Sequence, residues 1–441
     1  VLQSFRIASF GRVAIICAHR TMNEAPDRPV GRAWRLVPYA WAVVLMLWPV
    51  ATLNYLDRMM VATMRASIRA DIPTIANDAQ FGVLMASFMW VYALLSPLGG
   101  YVADRFNRRW TVIASLFIWS ATTWLTGHAR TFEQMAWARA LMGASEACYI
   151  PAALALIADF HPGPTRSRAI GIHTSGIYAG QALGGVGGYI ADTSSWRNAF
   201  YWFGLTGLLY AVVLVLLLRD APRPAAEPGT KAVALSFQDT LRGLFGAAGF
   251  LILIAYFTLP AMPGWAVKNW LPTHLAAAFG LKQGPAGLSA TGYVTLASLG
   301  GALLGGVAAD HWARATTRGR IYTSALGSAL CVPALLGLGF APSLGVALLC
   351  MVLFGLGFGV FDANSMPILC QLVSPKYRAT GYGVMNLVSI STGAVVTWAL
   401  GALRDRGISL GVAFTVSALL TALGVALILG IRPEEKGFEL R

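Results

Sequence analysis

Apolar residues fill continuous stretches of this chain, and short polar clusters rich in arginine separate them. An α-helix rises 1.5 Å per residue, so about 20 apolar residues cross the roughly 30 Å hydrocarbon layer of a bilayer. The pattern predicts about twelve such helices, near residues 39–66, 80–103, 109–128, 132–160, 168–192, 196–218, 248–278, 286–309, 320–340, 343–369, 379–402 and 410–431. Membrane strands would instead alternate apolar and polar residues over about ten positions, which runs such as Tyr210 to Leu218 do not do. The expected fold class is an all-α membrane protein.

Composition agrees. Of 441 residues, 56% are hydrophobic and 12% charged, whereas a soluble globular chain carries about 25% charged residues. Thirty-three Lys and Arg against 19 Asp and Glu give a formal charge of +14. In a soluble protein that excess suggests nucleic acid as a partner. Across twelve spans it orients the chain instead, because basic residues gather in cytoplasmic loops. With the amino terminus inside, the tails and the loops after even-numbered spans hold about 23 basic residues and the opposite loops about seven, leaving Arg58, Arg139 and Lys268 within spans. Both termini and the central loop are therefore expected in the cytoplasm, with the chain in the cell (inner) membrane and no nucleic-acid partner. Cys17, Cys148, Cys331, Cys350 and Cys370 are scattered, and the six histidines show no HExxH spacing. Neither a disulfide framework nor a metal site is expected, and no cofactor.

The stretch Arg219 to Arg242 contains Ala221-Pro-Arg-Pro224 and Glu227-Pro-Gly229, the composition of an irregular linker, and it divides the spans six and six. The expected organisation is a cytoplasmic tail 1–38, a six-helix half 39–218, a linker 219–243, a second six-helix half 244–431 and a tail 432–441. The halves resemble each other. Gly100-Tyr-Val-Ala-Asp104 after span 2 recurs as Gly306-Val-Ala-Ala-Asp310 after span 8, and Arg168-Ala-Ile-Gly171 recurs as Arg378-Ala-Thr-Gly381. Offsets of roughly 206 and 210 positions mark an internal duplication. In the first tail, Val13 to Ala18 is apolar but too short for a signal-peptide core or a span, and Arg6, Arg12 and Arg20 surround it. That tail reads either as sequence upstream of a true start at Met22 or as a basic segment on the cytoplasmic surface.

The loop after span 2 runs Gly100-Tyr-Val-Ala-Asp104-Arg105-Phe-Asn-Arg108-Arg109. Glycine permits close helix approach, Asp104 can meet a helix amino terminus or a neighbouring arginine, and the three arginines hold the loop at the cytoplasmic face. The sequence resembles the G-x-x-x-D-R-x-x-R-[RK] signature of the major facilitator superfamily, with a degenerate copy ending at Asp310, and the likeness extends over all twelve spans. Arg139 and Gly143 in span 4 fit that family's R-x-x-x-G pattern. The resemblance implies two six-helix halves related by an axis along the membrane normal, with a substrate site near the midplane between them. The chain is expected to act as a monomer.

Span 1 contains Asn54-Tyr55-Leu56-Asp57-Arg58. Each charge costs about 2.5–3.5 kcal/mol near a helix centre, so both should face protein or a water-filled cavity. Adjacent helical residues point about 100° apart, so each needs its own partner. In span 4, Glu146 follows Arg139 by about two turns, and both can share one cavity-facing stripe. A desolvated carboxylate there takes up a proton once a neighbouring cation moves away, and Arg58 is the candidate cation. The trio resembles the anion:cation symporter branch, which includes sugar-acid permeases and the sialin and vesicular glutamate carriers. That resemblance implies substrate carboxylate binding by Arg58 and proton coupling by Asp57 and Glu146. Glu146-Ala-Cys-Tyr149-Ile-Pro151, Ala158-Asp-Phe160, Arg166-Ser-Arg168 and Gly184-Gly185 are also similar to the spinster-type lipid carriers.

Aligning Pro151 with Pro367 sets Gly143 on Gly359 and Glu146 on Asp362. Asp362 is thus either a second titrating group or a partner for Lys268. Span 7 carries Pro260, Pro263 and Pro272, and is expected to lose regular winding at them. Its Lys268 is either a second anion contact or a side chain snorkelling to the outer surface. Tyr55, Tyr92, Tyr178, Gln181, Tyr293 and Asn386 are candidates to hydrogen-bond a substrate, with helix packing as their ordinary role. No phosphate loop, nucleophile with its base, or metal cluster is legible, so a pump driven by nucleotide and an enzyme are disfavoured. The expected function is proton-coupled transport of a small organic anion, such as a sugar acid, by alternating access. The alternatives are a spinster-like carrier of lysolipid or another amphiphile, and a membrane sensor that transports nothing.

Overall fold

A computed structural model describes residues 30–161, 165–221, 242–246, 248–373 and 377–431. Most of the linker, the carboxyl-terminal tail and the Met22 question lie outside the described residues. The long elements are helices: α1 (Val30–Thr63), α2 (Arg65–Asp71), α3 (Asp78–Arg105), α4 (Arg108–Thr126), α5 (Phe132–Glu146), α6 (Tyr149–Phe160), α7 (Arg166–Leu183), α8 (Val186–Thr193), α9 (Trp196–Leu217), α10 (Ala248–Phe279), α11 (Gln283–Ala315), α12 (Gly319–Gly339), α13 (Leu344–Leu372), α14 (Arg378–Asp405) and α15 (Leu410–Leu429). Several start where a side chain accepts a bond from a first-turn N–H, as Asn77 does for α3, Asn107 for α4, Thr131 for α5 and Ser195 for α9.

Among the described residues ten helical stretches are long and apolar enough to cross a membrane, α5 and α6 counting as one. The other two predicted spans are helical but more polar. Arg108 and Arg109 open α4, while Arg166 and Arg168 open α7, which breaks from α8 at Gly184-Gly185. Span 4 also breaks, at Ala147-Cys148, because Pro151 has no N–H to offer the Ala147 carbonyl. The expected disruption of span 7 does not occur: α10 winds continuously through Pro260, Pro263 and Pro272. Buried among neighbouring helices, it tolerates the missing donors. The short α2, which buries only Ile68, had no signal in the apolar pattern.

The duplication survives in the packing. A Cβ on Gly143 would stand 2.6 Å from the Phe88 carbonyl oxygen of α3, and a Cβ on Gly359 would stand 2.0 Å from the Ser298 carbonyl oxygen of α11. Each glycine lets span 4 or span 10 lie directly on the second helix of its own half.

The halves meet through α3 against α14 and through α7 and α8 against α11. Their cross-half bonds gather at one end. Asp405, at the end of α14, accepts from the backbone N–H groups of Asp78 (2.9 Å) and Ala79 (2.7 Å) at the start of α3. Asp192, in α8, accepts from the Gly284 N–H (2.7 Å) at the start of α11. Each carboxylate thus sits on the positive end of a helix dipole in the opposite half. This closed end is the one that carries the minority of the loop arginines, including Arg65, Arg69 and Arg404.

Candidate functional site

Between the halves lies a cavity of about 990 Å³. It reaches along α3 to Ser96 and Tyr101 and along α14 to Thr380 and Tyr382, towards the end bearing most of the arginine-rich loops. The crossed aspartate contacts shut the opposite end. Most of the wall is apolar, with rings from Phe88, Trp265, Phe354, Phe358 and Phe361.

Arg58 of α1 lines this cavity. Its Nε donates to Glu146 Oε2 at 2.5 Å, and its side chain is 9% exposed while that of Glu146 is wholly buried. The guanidinium lies over three rings, Tyr55 at 4.6 Å, Phe88 at 5.1 Å and Tyr92 at 4.4 Å from their centroids. A planar cation is suited to such a cage, because each ring face is negative. Glu146 closes the cage from behind, away from the cavity, and its Oε1 has no hydrogen-bond partner among the described residues. Arg139 shares the Phe88 ring at 4.8 Å and also lines the cavity.

Asp57 turns the other way. It is 2% exposed, does not line the cavity, and accepts from Thr123 Oγ1 of α4 at 3.0 Å. The neighbouring charges of span 1 therefore do take separate partners, Thr123 for one and Glu146 for the other.

The second half places Lys268 and Asp362 on the same cavity wall. No ion pair joins them among the described residues. Lys268 Nζ lies 5.3 Å from the Trp265 ring centroid and 5.6 Å from that of Phe358, so it points inward and does not snorkel to the surface. Tyr55, Tyr92, Tyr178, Gln181 and Asn386 line the cavity as expected. Tyr293 does not: it is 46% exposed on α11, whose cavity face carries Thr291, Val294, Thr295 and Ser298. Successive helical residues point about 100° apart, so Tyr293 leaves the face that its neighbour Val294 takes, and the polar character of a tyrosine does not reveal which face it occupies.

In the motif loop, the side chains of Asp104 and Arg105, and the surroundings of Gly100, lie outside the described residues. Arg108 pairs with Asp159 of α6, and Arg109 Nη2 donates to the Val215 carbonyl of α9 at 2.5 Å. These arginines stitch α4 to its neighbours within the first half. In the second copy, Arg320 Nη2 donates to Asp310 at 3.2 Å. Sequence reading missed Phe88 and Thr123. The chain has 21 Phe, and nothing local marks the one that touches two arginines; a hydroxyl in span 3 opposite a span 1 carboxylate was the only available signal for Thr123.

A match to the Major Facilitator Superfamily covers residues 47–397. Over 247 residues the chain is 30% identical to Protein spinster of Drosophila melanogaster, a stretch that takes in 56% of this chain and only 40% of the fly protein. It is 28% identical over 376 residues to an MFS-type efflux pump of Mycolicibacterium smegmatis, covering 83% of this chain and 85% of that one. Its fold is similar to that of a bacterial homolog of the human lysosomal transporter Spinster in an inward-facing, occupied conformation, with a TM-score of 0.73 and 21% identity over 89% of this chain and 96% of that one. The unoccupied inward-facing form of such a homolog gives a TM-score of 0.71 at 23% identity. With most of its spans inside the family match and its helices arranged around a central cavity, the chain belongs to the Major Facilitator Superfamily.

Proposed function

We propose that this protein is a proton-coupled secondary transporter for an amphiphilic molecule with an anionic group, working by alternating access. The observation that carries the proposal is Arg58, a caged cation on the cavity wall whose one carboxylate partner is sealed behind it. An anionic substrate entering the cavity competes with Glu146 for the guanidinium. Once Arg58 turns to the substrate, Glu146 loses the cation bonded to it and keeps only the more distant charge of Arg139, and a proton neutralises it. Substrate and proton thus change the relative stability of the two access states. The aromatic and aliphatic wall supports an amphiphile, since apolar surface leaves water for it. Relatives described as an efflux pump and as spinster proteins accord with this reading.

A second reading, a sugar acid or other small organic anion, is favoured by Tyr178, Gln181 and Asn386, which offer hydrogen bonds to hydroxyl groups along the same wall. The excess of basic residues at the open end supports a cytoplasmic position for that end and for both termini. The described conformation is then inward-facing.

The test is transport by purified protein in liposomes. Saturable flux driven by a pH gradient supports the proposal, and stronger competition by a single-chain anionic amphiphile than by a sugar acid selects the first reading. Binding without flux under every gradient would leave a sensor and overturn it.

A further inference from the structure

A second pocket, of about 260 Å³, lies at the closed end, and both halves build it. Arg65 of α2 and Arg404 of α14 stand on its walls, with Thr63, Thr273 and Gln283 and a floor that includes Ala62 and Pro272. Its charge is out of balance. Arg65 donates to Asp78 Oδ1 through Nε at 2.8 Å and through Nη2, and Arg69 Nη1 donates to the same oxygen at 2.7 Å. Arg404 Nη1 lies 3.2 Å from Asp78 Oδ2, buried and without a hydrogen bond. Three guanidiniums therefore share one carboxylate among the described residues. The nearby Asp405 is committed to backbone N–H groups of α3, and Gln283 exchanges bonds with the backbone N–H and hydroxyl of Ser67. Burial holds the Arg65 guanidinium below its ordinary range against the opposing bond and charge of Asp78, and the charges of Arg404 and Arg69 push the same way as burial.

We propose that this pocket binds an oxyanion, a phosphate or carboxylate group, between Arg65 and Arg404, and that the bound anion staples the closed end shut. A guanidinium offers a planar fork that matches an oxyanion, and two forks facing one pocket supply complementary charge where it is lacking. The apolar floor limits water around the ion and suits a carbon substituent on it. Arg65 belongs to the first half and Arg404 to the second, so parting the halves divides the site. An anion that binds only the undivided site stabilises the state that contains it. The binding is independent of the transport reading, and the stapling rests on it. A free anion and a lipid headgroup present the same chemistry.

The experiment is thermal unfolding of the full chain in neutral detergent at constant ionic strength. One arm titrates inorganic phosphate against chloride, and the other titrates phosphatidic acid against phosphatidylcholine in mixed micelles. A saturable rise in Tm with phosphate assigns a free anion, and a rise with phosphatidic acid alone assigns a headgroup. Made in an Arg58→Ala background, which silences the central cavity, Arg404→Gln should weaken the apparent affinity about tenfold, the loss expected for one charge-assisted contact, and part of the response should persist in Arg58→Ala itself. The binding proposal is overturned if neither probe shifts the wild-type Tm, if Arg404→Gln retains the full response, or if Arg58→Ala removes it and so moves the anion to the central cavity. Spin labels on α2 and on the end of α14 test the staple separately. Narrowing of their distance distribution with the anion supports it, and no change with a bound anion overturns the staple while leaving the binding and the transport reading intact.

Discussion

Arg58 has four neighbours that matter, three rings and one carboxylate, and they make separate demands on it. Replacing it by Ala removes the cation proposed to bind an anionic substrate, and affinity for such a substrate should fall by about tenfold or more, the range of a hydrogen bond to a charged group. Arg58→Lys should not restore that affinity, since a compact ammonium lacks the flat face that lies over Tyr55, Phe88 and Tyr92. Binding assays on the two variants check both outcomes. Glu146→Gln keeps the shape and removes the carboxylate proposed to take up the proton. Accumulation driven by a pH gradient should stop while substrate counterflow persists, and loss of both, or retention of both, would remove Glu146 from proton coupling. Thr123→Val takes away the hydroxyl that bonds Asp57. Leaving a buried carboxylate short of that donor should cost about 1–3 kcal/mol of stability, read as a lower Tm.

Helices α5 and α13 depend on glycine at the places where they lie on α3 and α11. Gly143→Val should force α5 away from the Phe88 carbonyl, a strain of about 1–3 kcal/mol, and should displace Glu146 from Arg58 as well as lower Tm. Trp137→Val, at an exposed position of α5, should do neither. The apolar pattern located the long helices well because burial in lipid requires an uninterrupted apolar stretch, and that requirement is local. It missed α2 because seven residues that bury one isoleucine carry no such stretch. It foretold a disturbed α10 because proline removes a donor, a local fact whose cost depends on the neighbours that surround the helix.

Across the molecule, the two crossed aspartates hold the closed end by the same device used twice. Asp405 and Asp192 each rest on the amino terminus of a helix in the other half, as the duplication would have it. Replacing both by Ala should release about 1–2 kcal/mol of capping at each site and shift the population towards opening of this end by roughly tenfold or more. Spin-label distances between α2 and the end of α14 should broaden and lengthen. An unchanged distribution would mean that close packing alone keeps this end shut.

The order of residues was enough to establish the membrane class, the helical spans, the duplicated halves and the presence of charges deep in the apolar layer, because each follows from the solvation of a contiguous stretch of chain. It was also enough to bring Asp57, Arg58 and Glu146 under suspicion, since a buried ion is costly wherever it sits. Their division of labour came from packing: Arg58 faces the cavity, Glu146 stands behind it and Asp57 turns to Thr123. Packing also supplied the Phe88 ring shared by Arg58 and Arg139, the inward aim of Lys268, the outward position of Tyr293 and the anion-deficient pocket between Arg65 and Arg404. Each of these depends on which helix faces which, and that is a balance of contacts between segments far apart in the chain, to which no local stretch of residues has access.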